Sequence, residues 1–178
     1  MALLEREELI AALQRLGELA QARGEQIELV VVGGAAMVLG FSARSSTQDV
    51  DAVAIPASLT SLVRELARQV AQERGWPEDW LNDAAKGYLV GLSAGPVLLT
   101  APGIEVRAPS AAQLLAMKLS AWRDDVDIAD ARQLLMALGA GRSQDEVWQT
   151  VRPFLVRGSE LKAQYAFGDL WESLYGDA

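Results

Sequence analysis

Two aspartates two residues apart, Asp49 and Asp51, are the side chains whose type and spacing point most directly to chemistry. They lie in Asp49-Val-Asp-Ala-Val-Ala-Ile55, which alternates like a half-buried strand, so both carboxylates project from one face within reach of a single divalent cation. Upstream, the apolar run Ile27-Glu-Leu-Val-Val-Val32 ends in Gly33-Gly34. Adjacent glycines let the backbone turn sharply and approach a ligand without a Cβ in the way, and the start of a following helix offers N–H groups to a phosphate. One device cradles phosphates and the other holds the Mg²⁺ that bridges them, a combination suited to in-line nucleotidyl transfer. Taken singly, each has a plainer reading, as a tight turn and as a solvated strand face.

Composition narrows the alternatives. The 178 residues contain no His and no Cys, which excludes imidazole general acid–base chemistry, Ser-His-Asp and Cys-His triads, thiolate or imidazole zinc sites and disulfides. A metal must then be held by oxygen, which selects Mg²⁺, Mn²⁺ or Ca²⁺. Sixteen Lys and Arg against 24 Asp and Glu give a net charge of −8, which argues against broad binding of a nucleic-acid backbone. No apolar run reaches the ~18–20 residues of a membrane span, and the start Met-Ala-Leu-Leu-Glu-Arg-Glu-Glu lacks the basic and small-residue pattern of a secretory signal. The expectation is a cytoplasmic protein without membrane contact.

The elements that must position the aspartates follow from periodicity. Residues 3–22 carry apolar side chains at helical spacing, 27–32 reads as a buried strand, and 35–39 as a short helix closed by Gly40. Residues 41–48 form a polar loop containing Arg44, Ser45, Ser46 and Thr47, and the strand 49–55 stops at Pro56. A helix capped by Ser58 or Thr60 runs to Gly75, residues 76–83 make an aromatic-acidic connection, and 88–108 holds two or three short strands. Beyond that the pattern is helical. Ser110 to Gln113 and Ser143 to Glu146 are capping boxes, Ile128 to Leu138 marks a helix between them, and a last helix carries Leu161, Leu170, Trp171 and Leu174. The expected fold is α+β, with an α/β core and N-terminal helix over residues 1–108 and a helical region over 109–178 packed on it.

Gly-Gly, a short helix, a loop with Arg and Ser/Thr, and a DxD fourteen residues after Gly34 resemble the active-site signature of the DNA polymerase β-type nucleotidyltransferase superfamily. Within it the chain is similar to a small prokaryotic branch that includes the abortive-infection nucleotidyltransferase toxins. Arg44-Ser-Ser-Thr-Gln-Asp-Val-Asp51 fits that branch's Arg-x-Thr/Ser-x-Asp-hydrophobic-Asp with one residue of slack. Trp80-Leu-Asn-Asp83 and the stretch from Leu114 to Asp130 look like segments of an uncharacterised nucleotidyltransferase-like family in the same branch.

The resemblance implies a mixed sheet with helices on one face and nucleotide and metal on the other. Gly33 and Gly34 correspond to the phosphate-loop glycines and Asp49 and Asp51 to the metal carboxylates, with Mg²⁺ or Mn²⁺ as cofactor and an NTP as substrate. Thr47 lies where the phosphates would be, and Arg44 either clamps them or sits in solvent. A third catalytic carboxylate is expected on a later strand, for which Glu105 between Ile104 and Val106 is the candidate; the alternative is an ordinary exposed strand Glu. Lys118 either meets the triphosphate as a point charge or snorkels from a packed helix face, and Asp127 is a partner for it or for Arg123. Asp124, Asp125, Asp127 and Asp130 surround a helix start, where carboxylates favour the dipole. Trp76 and Trp80 either close the core or stack on a base.

Three functions fit. The first is transfer of NMP from an NTP to a hydroxyl on RNA, protein or a small molecule, as the toxin of a toxin–antitoxin or phage-defence pair with an antitoxin protein as partner. The second is a catalytically inactive nucleotidyltransferase-like binding or antitoxin module. The third is an aminoglycoside-type enzyme, whose cationic substrates the net charge of −8 would suit.

Overall fold

The computed structural model describes residues 3–123 and 125–176. They form two compact units, one from the chain up to Lys86 together with Gly95–Ala108, the other from Gly87–Ala94 together with the chain from Pro109 onward. The segment 87–94, which its sequence leaves with the α/β half, thus groups with the helices.

The first unit contains β1 (Leu4–Glu5), α1 (Arg6–Ala22), β2 (Ile27–Val32), α2 (Gly33–Gly40), β3 (Ser46–Thr47), β4 (Val50–Ile55), α3 (Thr60–Arg74), β5 (Leu81–Asn82), β6 (Val97–Ala101) and β7 (Ile104–Arg107). Five of the strands make a mixed sheet in the order β5-β4-β2-β7-β6. The pair β2–β4 is antiparallel, β2–β7 and β4–β5 are parallel, and β6–β7 is antiparallel. Paired residues share a face, so Ile27, Leu29, Val31, Val50, Ala52, Ile104 and Val106 point one way, and all of them are buried. This is the side on which α1 and α3 pack: a Cβ on Gly17 of α1 would run into Ile104 and the Pro102 carbonyl. The opposite face carries Glu28, Asp51, Asn82, Glu105 and Arg107. Helices cover one face, then, and the acidic residues stand on the other.

Three details depart from the periodicity. The first helix begins at Arg6 because Leu4 and Glu5 pair instead with Thr47 and Ser46, which ties down the polar loop. Helix α2 starts at Gly33 itself, and Arg6 donates to its last carbonyls, Val38 O at 3.2 Å and Leu39 O at 2.6 Å. The third is β5, within the stretch that reads as a connection.

The second unit contains α4 (Ala111–Ala121), α5 (Asp125–Gly139), α6 (Gln144–Val151) and α7 (Glu160–Tyr175). Helix α4 is its centre, buried from Ala112 to Ser120 and touched by the other three. Ser143 and Glu146 form a complete capping box. Ser110 caps α4 by accepting from Gln113 N at 3.2 Å, but the box is not reciprocated. The Gln113 amide turns away to take the 87–94 segment, accepting from Ser93 N and Oγ and donating to Val90 O and Gly91 O. Fully buried and using both ends of its amide, Gln113 explains why that segment belongs to the helices. Among the described residues no helix is long and apolar enough to cross a membrane.

Candidate active site

The antiparallel register sets Val32 opposite Asp51, so the chain leaves β2 through Gly33-Gly34 at the end of the sheet where Asp49 and Asp51 stand. Gly33 has φ +61°, in the left-handed region that favours glycine, and a Cβ there would lie 3.3 Å from Asp51 Oδ2. A Cβ on Gly34 would run into Thr47 Oγ1 and lie 3.2 Å from Arg44 Nη1. The close approach expected of these glycines therefore begins inside the protein, with Asp51, Arg44 and Thr47 as the neighbours. Thr47 is buried, and its backbone pairing with Leu4 fixes it there. Among the described residues no side chain caps α2, whose first turn opens at this junction. Uncapped N–H groups at a helix start favour an anion.

Asp49 and Asp51 are both half-buried. Asn82 Nδ2 donates to Asp49 Oδ2 at 3.0 Å, and the Ala85 N–H donates to Asp51 Oδ1 at 3.2 Å. Asn82 is the residue that sequence reasoning missed. It pairs with Asp51 in the β4–β5 register, and its Oδ1 accepts from Ala84 N at 2.9 Å, which orients the amide toward Asp49. The strand that carries it is anchored by Trp80, fully buried, whose Nε1 donates to Ala67 O at 2.9 Å. The signal was the Trp80-Leu-Asn-Asp83 segment; only two residues of it are extended, too few for an alternation to register. Trp80 is thereby a core residue, and Trp76 packs on its edge at 5.5 Å with the Arg74 guanidinium over its own ring.

Glu105 does not join this group. It pairs with Glu28, four residues along β2 from Val32, which places it about 13 Å along the strand direction from the level of Asp51. Alternation along the strand turns Glu105 to the acidic face but carries no information about height along the strand, which the register supplies. Its neighbour there is the Glu28–Arg107 ion pair.

Lys118 lies on α4 in the helical unit, buried, with Nζ 2.7 Å from Asp127 Oδ1 and 2.7 Å from Asp130 Oδ2. Arg123 also reaches Asp127, its Nε donating to Oδ2 at 3.0 Å. Burial by itself would raise the Asp127 pKa, but the hydrogen bonds from Arg123 and Lys118 and the charge of Lys118 hold it down at about 2. Asp125 and Asp127 stand in the first turn of α5, where carboxylates favour the dipole; Asp124 lies outside the described residues.

Mg²⁺ keeps several waters and is bound through one or two carboxylates plus substrate phosphates. Asp49 and Asp51, two residues apart and half-buried, fit that description. Among the described residues no three acidic side chains gather into a cluster that would hold a metal unaided.

Residues 7–138, which is 132 of the 178, match the model of a family described as nucleotidyltransferases of unknown function (DUF6036). The match begins in α1 and ends in α5, so it takes in the glycine pair, both aspartates, Asn82, Glu105 and Lys118. Neither the comparison with curated proteins nor that with solved structures returned a match.

Proposed function

The chain belongs to this nucleotidyltransferase family, and from that premise we propose that it moves an NMP from an NTP to an acceptor hydroxyl with the help of a divalent cation. Asp49 and Asp51 would hold Mg²⁺ or Mn²⁺, which when bound neutralises phosphate charge and polarises the phosphoryl oxygens. The remaining work falls to the chain. The start of α2, reached through Gly33 and Gly34, receives the phosphates; Arg44 and Thr47 border it; Asn82 holds the Asp49 carboxylate by a hydrogen bond. In the transfer the acceptor hydroxyl gives up its proton to solvent as its oxygen bonds to the α-phosphorus, and the bond from that phosphorus to the bridging oxygen breaks, releasing pyrophosphate. The single observation that carries the reading is the Val32–Asp51 register, which joins the glycine turn and the carboxylate pair at one end of one sheet.

The relation to the DNA polymerase β-type superfamily and to its toxin branch belongs to the same reading, as do an RNA, protein or small-molecule acceptor and an antitoxin partner. One observation favours the second reading, a nucleotide-binding module without catalysis: the strand residue beside Asp51 is an amide, Asn82, where a third carboxylate would have supplied a general base.

The test is to follow melting of the whole protein with each NTP and Mg²⁺, and to assay transfer of labelled NMP to total RNA or lysate protein. Binding to the native state alone raises stability by RT ln(1 + [L]/Kd), so Mg²⁺ with the right NTP should raise the Tm, and Asp49→Asn should abolish the metal-dependent part. Equal NTP affinity with and without EDTA in wild type and variant would remove the metal assignment. Stabilisation without transfer to any acceptor would favour the binding module.

A further inference from the structure

Helices α6 and α7 of the second unit enclose a groove of about 750 Å³ whose lining includes Trp148, Leu161, Tyr165 and Trp171. Two of these are apolar side chains left in solvent, Leu161 at 67 % and Tyr165 at 68 % exposure, on a helix whose other face is buried through Ala163, Ala166, Phe167 and Leu170. The wall behind them is firm, since Trp148, Phe167, Trp171 and Tyr175 form a continuous aromatic row with centroids 4.6–5.9 Å apart.

The floor has a feature the fold does not require. Gly168 sits in the middle of α7, where glycine costs about 1 kcal/mol relative to alanine, yet a Cβ there would meet nothing within 4 Å. Close packing inside the protein therefore does not account for it; the glycine keeps the groove open. Among the described residues every charged side chain in the lining is acidic: Asp145, Asp169 and Glu172. From Leu161 to Glu172 the wall runs eleven residues along one helix, about 16 Å or three turns.

From the open glycine floor, the exposed apolar side chains and the purely acidic rim, we infer that this groove docks a basic amphipathic helix of a partner protein. A helix of about three turns matches its length, apolar side chains at i, i+3, i+4 and i+7 would enter beside Leu161, Gly168 and Tyr165, and Lys or Arg on the flanks would meet Asp145, Asp169 and Glu172. A second copy of this chain is the poorer occupant, because each copy brings a net charge of −8. The inference is independent of nucleotidyl transfer.

The test uses the whole protein and a fluorescent Leu/Lys peptide of about eighteen residues with leucine at helical spacing, against a peptide of the same composition in which the spacing is scrambled. The patterned peptide should bind at least about tenfold more tightly than the scrambled one, a difference of about 1.4 kcal/mol. Gly168→Leu projects a side chain into the floor from a position where a Cβ meets nothing within 4 Å and replaces glycine by a better helix former, so the Tm should hold or rise while binding falls at least tenfold. The Asp169→Lys/Glu172→Lys double variant should lose binding likewise. Equal binding of both peptides, or Gly168→Leu binding as wild type does, would overturn the inference. So would a dimer of the free chain that Gly168→Leu dissociates, since the occupant would then be a second copy.

Discussion

Lys118 shows how one residue type serves two opposite arguments. A lysine on an apolar helix is either a phosphate ligand or a buried charge that must be paired, and here its ammonium is shared by Asp127 and Asp130. Removing one partner from a buried ion cluster typically costs 3–5 kcal/mol, so Lys118→Met should lower stability by about 3 kcal/mol in urea unfolding, whatever it does to nucleotide affinity. Asp127 supplies a pH signature. Its carboxyl titrates at about 2 in the fold against 3.8 as a free group, so its contribution of about 2 kcal/mol is present above pH 4 and lost as the pH falls toward 2. Lys118→Met should flatten that acid limb. An unaltered urea midpoint combined with lost NTP binding would instead identify Lys118 as a phosphate ligand. Glu105 invites the reverse experiment: because the register sets it beside Glu28 and away from Asp51, Glu105→Gln should leave both NTP affinity and transfer rate within about twofold of wild type. A hundredfold fall in single-turnover transfer, with affinity intact, would restore it as the general base.

At the scale of elements, the junction between β2 and α2 does two jobs. It turns the chain toward the aspartates, and it receives Thr47 and Arg44 from a loop that β1 holds in place. A side chain at Gly34 would displace Thr47 Oγ1 before any ligand arrives, so Gly34→Ala should cost about 1–3 kcal/mol by overpacking. Removing the hydroxyl with Thr47→Ala should return part of that cost, giving a coupling of at least about 0.5 kcal/mol in a double-mutant cycle. Strictly additive losses would show that the strain at Gly34 lies elsewhere. The same junction marks what was legible in the sequence. The strands β2 and β4, the glycine turn and the spacing of Asp49 and Asp51 are local patterns, and local patterns survive without knowledge of partners. The start of α1, the two residues of β5, the height of Glu105 and the role of Gln113 are set by pairing across long separations, which no periodicity encodes. Gln113 is the clearest instance: its spacing from Ser110 reads as a capping box, but its side chain is spent on Val90, Gly91 and Ser93.

The molecule as a whole carries −8, and its proposed nucleotide ligand is an anion. Long-range electrostatics therefore oppose binding, while at the proposed site attraction would come from Arg44, the start of α2 and a cation held by Asp49 and Asp51. Salt screens the first over a Debye length of about 8–10 Å and weakens the short-range contacts less, so the two effects offset. The affinity for Mg²⁺·NTP should consequently change by less than about threefold between about 50 and 300 mM KCl, unlike a protein that binds through many phosphate contacts and loses orders of magnitude. The basic peptide at the α6–α7 groove should respond more steeply, since there the net charge of the protein and the acidic rim both attract it: its affinity should fall several-fold over the same range. Calorimetric titration of each ligand at three salt concentrations reads both slopes on one preparation. A steep loss of Mg²⁺·NTP affinity with salt would mean that a strongly basic surface dominates nucleotide binding, and the assignment to the junction of β2 and α2 would have to be abandoned. A flat peptide slope would remove charge from the account of the groove and leave only its apolar side chains to select a partner.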